Sequence, residues 1–420
     1  MDVRTQPSLP RSRSSQPPQI ARIRIYAGPG GTAPSRRPRL DALSGLRFMA
    51  SLHILALHVL MLASAEAPQL PGWVVQVAER GYTSTSLFFI LSGFVLTYAY
   101  SDDEAGFRGN DRSFWIGRFA RLYPLLVITY LFALPLATDT SFQAVVRAVL
   151  TLTGLQAWVP VPEYSLGSVS WSLSVLALCY AVTPALLRRL QGAGSRQLAW
   201  LLGAAWLGAM VAPAMLMAWS GHPVERSDPG MQIIHTFPLL RLPEFVFGMM
   251  LGKLFVRSGG ARGPWMAWGT AAAAAVLAGV MVFGEGLPYP LLHNGVLAPV
   301  HGMIVVGLAS GAGAAGRFLG SRPMRALGDA SLPLYMLHMP LLTYVQMVAG
   351  GAGSGSAYRT AIVLVLYLGS LLALSLATWR WVIEPAAGWI RRRFDPADGS
   401  ARRPAPAAAR YRSSGTPVRL

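Results

Sequence analysis

The chain has 420 residues, 53% of them hydrophobic and only 13% charged, with a mean hydropathy of +0.42. A soluble protein carries about twice that share of charge, so the composition excludes an ordinary globular enzyme and points to a multi-pass membrane protein. The single cysteine, Cys179, excludes an internal disulfide framework, and no Cys/His spacing suggests a metal site.

The net charge of +18 is concentrated at the two ends. Residues 1–40 hold eight Arg and one Asp, and residues 391–420 hold eight Arg and two Asp, so these segments supply 13 of the 18 charges. Both are rich in Pro, Ser, Ala and Gly and read as disordered basic tails flanking a membrane-embedded domain over 41–390. Basic tails beside membrane spans hold topology and touch anionic membrane lipids, so no nucleic-acid partner is expected. The first apolar stretch follows forty polar residues and lacks a small-residue cleavage pattern, so no cleaved leader is expected.

Between the tails, apolar runs long enough to cross a bilayer recur. In chain order they predict an all-α bundle of ten transmembrane helices at 43–64, 84–101, 119–137, 170–190, 198–219, 237–256, 266–284, 295–314, 331–350 and 358–383. Arginines crowd the alternate connections 101–118, 190–197, 257–265 and 315–330 and the C-terminal segment. The opposite connections carry only Arg80, Arg147 and Arg226. By the positive-inside rule, both termini are expected in the cytoplasm of a protein of the cell (inner or plasma) membrane. Residues 142–160 are apolar but interrupted by Arg147, and we read them as a re-entrant or interfacial helix on the outer side.

Arg47 and His58 stand eleven positions apart in the first span. Eleven steps of about 100° return to nearly the same helix face, roughly 16 Å along the axis. Such groups are costly inside a membrane and mark function. Arg47 is a fixed cation suited to phosphate or carboxylate, and His58 accepts a proton near neutral pH. Each also has a structural alternative: Arg47 could snorkel to headgroups and His58 could join two helices by a hydrogen bond.

Further motifs follow. Leu40–Arg47 with His58 opens the series. Phe88-Phe89-Ile90-Leu91-Ser92-Gly93-Phe94 comes next, then Arg118-x-x-Arg121-x-Tyr123-Pro124 and Trp171-Ser172-Leu173-Ser174. Arg241-Leu242-Pro243-Glu244-Phe245 with Gly248, Tyr335-Met336-Leu337-His338-Met339-Pro340 and Ile383-Glu384-Pro385 complete it. Together, over about residues 40–390, they resemble the acyltransferase-3 family of integral-membrane O-acyltransferases. In that family Trp-Ser-Leu-Ser usually continues through Val to Glu; here Leu176 follows Val175.

The resemblance implies transfer of an acyl group, with acetyl expected, from cytoplasmic acyl-CoA to a hydroxyl of a polysaccharide, glycolipid or glycosylated metabolite, without a metal. The partners the resemblance implies are a carbohydrate or glycolipid acceptor and, separately, proteins of envelope-polysaccharide biosynthesis. His58 is expected as general base, with Arg47 and Glu384 completing the catalytic group. Arg118, Arg121 and Tyr123 are expected to bind acyl-CoA. Ser92, Trp171, Ser172, Arg241, Glu244 and His338 are expected to touch substrate or support the groups that do. Two other readings stay open. One is a transporter or flippase of an acyl donor or lipid-linked sugar, against which stands the lack of duplicated halves. The other is an inactive scaffold in an envelope-polymer complex, which Leu176 favours.

Overall fold

The computed structural model describes residues 37–62, 70–103, 105–137, 141–159, 169–260, 263–311, 313–349 and 357–395. Apart from 37–40 and 391–395, the two basic tails lie outside the described residues.

The chain enters the bundle through α1 (Asp41–Leu62) and continues through α2 (Gly72–Glu79) and α3 (Ser84–Tyr100). A small antiparallel pair, β1 (Ser101–Asp102) and β2 (Gly106–Phe107), leads to α4 (Asp111–Ala133) and α5 (Phe142–Thr153). Then come α6 (Trp171–Arg189), α7 (Ser195–Ser220), α8 (Pro229–Thr236), α9 (Pro238–Arg257) and α10 (Pro264–Phe283). Next are the short α11 (Tyr289–His293), α12 (Ala298–Ala309), α13 (Gly313–Leu319) and α14 (Arg322–Asp329). α15 (Ser331–Ala349), α16 (Ala357–Ala377) and α17 (Glu384–Phe394) complete the described chain, with a π-helical turn at Thr378–Ile383 before α17.

Each of the ten predicted spans contains a helix. Among the described residues, eight segments are long and apolar enough to cross a membrane: Asp41–Met61, Gly72–Tyr100, Asp111–Leu136, Trp171–Arg189, Ser195–Ser220, Pro264–Gly286, Tyr289–Ala309 and Tyr358–Phe394. The other two predicted spans form α9 and α15, of 20 and 19 residues. They fall short in composition: α9 carries Arg241, Glu244, Lys253 and Arg257, and α15 carries His338, Gln346 and two prolines. The predicted interfacial segment contains α5, twelve residues long. At 1.5 Å per residue it spans about 18 Å, too short for a hydrocarbon core of about 30 Å. Its Phe142, Val145 and Val149 are exposed while Thr151 is buried.

The predicted C-terminal tail boundary at 391 falls inside a helix, since α17 continues to Phe394. The physical reason lies in Arg391–Arg393. Three cations occupy the last turn, where the helix dipole favours positive charge, and Arg391 Nε donates to the Ala387 carbonyl at 3.1 Å.

The most extensive helix pair is α3 against α9. A Cβ on Gly93 would collide with the Phe245 carbonyl, and one on Gly248 with the Ile90 carbonyl. These two glycines let the backbones approach, as small residues do between membrane helices. The Ser-Gly-Phe motif of α3 and the glycine of α9 are therefore one packing device. α1 is central, touching α3, α12, α14 and α15. One apolar cluster joins α3, α6 and α9 through Phe89, Val175, Cys179 and Phe245. Another joins α1, α4, α6 and α15 through Ile54, Leu125, Leu173 and Met336. α7, α10 and α16 turn large apolar side chains outward, among them Trp219, Trp268 and Leu366. Such faces suit lipid rather than water.

Candidate active site

α1 is an unbroken helix from Asp41 to Leu62, so Arg47 and His58 share a face as their spacing predicts. α15 brings His338 against His58. The two rings are 5.0 Å apart, and His338 Nε2 lies 3.3 Å from His58 Nδ1. Hydrogen-bond chemistry assigns the tautomers. His338 Nδ1 is 2.6 Å from the Tyr335 carbonyl, which only accepts, so Nδ1 carries the proton and Nε2 is a lone pair. His58 Nδ1 is 2.9 Å from the Ile54 carbonyl and faces that lone pair, so it too carries a proton. This leaves His58 Nε2 bare and without a hydrogen bond to any described group. Tyr367 on α16 donates to the His338 carbonyl at 3.0 Å and fixes the backbone behind the pair.

Arg47 is three turns nearer the start of α1. Its Nη2 lies 3.5 Å from Ser44 Oγ and 4.0 Å from Asp329, and its side chain is 42% exposed. Asp329 is held more tightly by Arg39 at 2.6 Å, while Arg325 pairs with Asp41 at 2.9 Å. These ion pairs fasten α14 to α1 and leave Arg47 weakly engaged.

α4 supplies Arg118 and Arg121. Arg118 donates to the Tyr100 hydroxyl at 3.2 Å and lies over the rings of Tyr100, Phe114 and Tyr180. Its buried Nε has no partner. Arg47, Arg118 and Arg121 all lie within electrostatic reach of the Tyr180 phenol. The second turn of α1, the second and third turns of α4 and the middle of α6 therefore come within electrostatic range of one another at Tyr180, a residue the sequence reading missed. Its signal was present: it stands one turn beyond Leu176 on the same face of α6. Leu176 itself packs against the apolar clusters on both sides of that helix.

A second polar group is fully enclosed. Arg241 and Glu244, one turn apart on α9, pair at 3.2 Å with both side chains 0% exposed. Glu244 Oε1 accepts from Ser86 Oγ at 2.5 Å and from the Gly295 N–H at 3.2 Å. Arg241 donates to the His293 carbonyl and to Asn294 Oδ1, and its guanidinium lies over the Phe89 ring. His293 stacks on Tyr82 and meets His235 edge-on at 4.4 Å. Trp171 contacts His235 at 4.6 Å. Burial, then the neighbouring His293 and Arg241, push the His235 imidazole well below its usual range, so it is neutral at pH 7. Ser172 donates to the Val169 carbonyl at 2.9 Å, and the Tyr335 hydroxyl donates to the same carbonyl at 3.3 Å.

The structure thus gathers His58 with His338, Arg118 and Arg121 around Tyr180, and Trp171 with the Arg241–Glu244 group. Three expected residues stand apart. Tyr123 stacks on Phe119 at 4.6 Å on an exposed face of α4, turned away from the two arginines. Glu384 pairs with Arg380 at 2.7 Å and is 52% exposed; it shares no contact with His58. Ser92 is half-buried on α3, and its hydroxyl forms no hydrogen bond with the described residues. Among the described residues, no three His, Cys, Asp or Glu side chains come together to hold a metal.

The fold is that of an integral, multi-pass membrane protein that encloses the His58–His338 pair and the Arg241–Glu244 group inside its bundle. The chain belongs to the acyltransferase-3 family: the Acyl_transf_3 profile, described as an acyltransferase domain, matches residues 40–380. It is 28% identical over 333 residues to acyltransferase MdmB of Streptomyces mycarofaciens, an alignment covering 76% of this chain and 83% of that protein. No solved structure matches. The chain is therefore a membrane-embedded acyltransferase.

Proposed function

We propose that this enzyme moves an acyl group, with acetyl expected, from cytoplasmic acyl-CoA to a hydroxyl presented from the outer side by a polysaccharide, glycolipid or glycosylated metabolite. The observation that carries the reading is the bare Nε2 of His58. An ester-forming transfer needs a base within hydrogen-bond reach of the hydroxyl, and a neutral imidazole is suited to that task at pH 7. His338 holds His58 in the tautomer whose free nitrogen is Nε2. In the reaction, the acceptor oxygen bonds to the thioester carbonyl carbon, the hydroxyl proton passes to His58 Nε2, and the carbon–sulfur bond breaks. CoA leaves as a thiolate and takes up the proton from the imidazolium.

The donor's phosphates would lie against Arg118 and Arg121, whose planar forks suit phosphate oxygens. Arg47 would sit between them and His58 along α1. What supports this is the electrostatic convergence of the three arginines on Tyr180, together with the weak engagement of Arg47. The reaction centre and the donor's charged end would then be roughly 16 Å apart along α1, a gap for the donor's extended arm to bridge.

The test uses the full chain in proteoliposomes with radiolabelled acetyl-CoA. Mass spectrometry of surface glycans and lipids, from membranes with and without the protein, identifies the acylated product. Label appearing as an ester in a hydroxyl compound supports the reading. Movement of acyl-CoA or lipid-linked sugar across the bilayer without ester formation would favour the transporter reading instead.

A further inference from the structure

Arginines on the outer side of a membrane protein run against the positive-inside rule and call for partners. Arg80 has them: it is buried and donates to the Gln76 carbonyl at 3.1 Å, Gln76 Oε1 at 2.7 Å and the Met281 carbonyl at 2.8 Å. Arg147 on α5 is also engaged. Arg226, between α7 and α8, is different. Its Nη1 donates to Met61 Sδ at 3.2 Å, and a thioether is a weak acceptor. Among the described residues no carboxylate forms an ion pair with it. The adjacent Glu225 is exposed, and Asp228 turns back to accept from the Glu225 N–H at 2.6 Å.

The position of this underused cation is specific. Met61 follows His58 by three residues, so it lies on the same face of α1, about 4.5 Å further out. The Arg226 guanidinium therefore stands over the outer end of the face that carries His58, and it is within electrostatic reach of His58 itself. It also reaches Tyr82, Tyr289, His235 and His293. Those rings touch one another: Tyr82 meets Tyr289 at 4.7 Å and His293 meets His235 at 4.4 Å. The buried Nε2 of His293 has no partner. The outer approach to His58 is thus a guanidinium above a wall of hydrogen-bonding rings.

We propose that Arg226 docks the acceptor, and that the acceptor carries an oxyanion, phosphate or carboxylate, close to the hydroxyl that is acylated. The guanidinium takes the oxyanion while the hydroxyl lies at His58 Nε2. The proposal rests on the acyl-transfer reading and adds the substrate class: a phosphorylated or uronic-acid-type hydroxyl compound rather than a neutral sugar.

The experiment compares matched acceptors with the full chain in proteoliposomes supplied with acetyl-CoA: glucose 6-phosphate against glucose, and glucuronate against glucose. Loss of one charge-assisted contact is expected to change selectivity by at least about tenfold. The wild-type ratio of charged to neutral kcat/KM is therefore expected at about 10 or more in at least one pair, and near 1 in Arg226→Gln. The pair that responds distinguishes phosphate from carboxylate. Equal use of both members by the wild type, or a preference that survives Arg226→Gln, overturns the proposal. Absence of CoA release under every condition marks failure of the acyl-transfer reading instead. In that case the charge preference is read from protection of His58 against diethyl pyrocarbonate, by glucose 6-phosphate or glucuronate compared with glucose. Equal protection by charged and neutral sugars, or protection unaltered in Arg226→Gln, overturns it equally.

Discussion

His338 Nε2 faces His58 Nδ1 across 3.3 Å, a contact between α15 and α1 made by residues 280 positions apart. The direction of that contact matters more than its length. Because both Nδ1 atoms are committed to backbone carbonyls, the shared proton belongs to His58 and the lone pair to His338. The pair therefore leaves one specific nitrogen, His58 Nε2, for chemistry.

If His338 positions the base, His338→Ala should lower kcat by about 10–100-fold, the range found when a group that orients an imidazole is removed. The KM values for acyl-CoA and acceptor should stay near those of the wild type. His338→Asn, which keeps a polar atom near His58 Nδ1, should recover part of the loss. Steady-state kinetics on membrane fractions of equal protein content check this, and a rise in KM with kcat intact would assign His338 to binding instead.

Arg118 and Arg121, proposed to hold the donor, should behave differently. Arg118→Ala or Arg121→Ala should raise the acyl-CoA KM by about 10–150-fold, the equivalent of a lost charge-assisted hydrogen bond of about 1.5–3 kcal/mol. The acceptor KM should move far less. Arg→Lys should rescue poorly, since an ammonium cannot reproduce the fork. Full rescue by Lys would make them membrane anchors.

The enclosed ion pair predicts a stability effect. Glu244→Gln or Arg241→Ala leaves one charge buried without its partner, and should destabilise the protein by about 3–5 kcal/mol. Replacing both with Met or Leu should destabilise it less than either single change. Thermal unfolding of the solubilised full chain measures this, and an additive loss in the double variant would show that the pair is not coupled.

Leu176→Glu tests the departure at the family's usual carboxylate. Leu176 packs between two apolar clusters. A charge there costs about 2.5–3.5 kcal/mol on membrane-insertion scales, so this variant should be less stable and no more active. Turnover switched on by Leu176→Glu where the wild type is silent would mean that the chain had lost its chemistry and serves as a scaffold.

Much of this architecture was legible in the residues because the bilayer leaves few choices. Apolar runs of span length must form helices, and Arg47 and His58 must share a face once α1 is continuous. What the sequence could not supply was contact between helices. The partnership of His338 with His58 depends on how α15 packs on α1, and periodicity within one helix carries no such information. His293 is likewise fully buried, stacked on Tyr82 and holding Arg241 through its carbonyl, a placement set by packing between helices. Tyr123 and Glu384 illustrate the reverse. Their motifs promised a site, but each side chain projects from the outer side of its helix, where adjacency in sequence does not become adjacency in space.

The most direct measurement is acyl transfer by His58→Ala and His58→Gln in proteoliposomes, at protein levels matched to the wild type. Loss of a general base is predicted to lower kcat by about 10²–10⁴-fold while the chain still inserts and acyl-CoA still binds. Transfer by both variants at the wild-type rate would contradict the assignment of His58 Nε2 as the base.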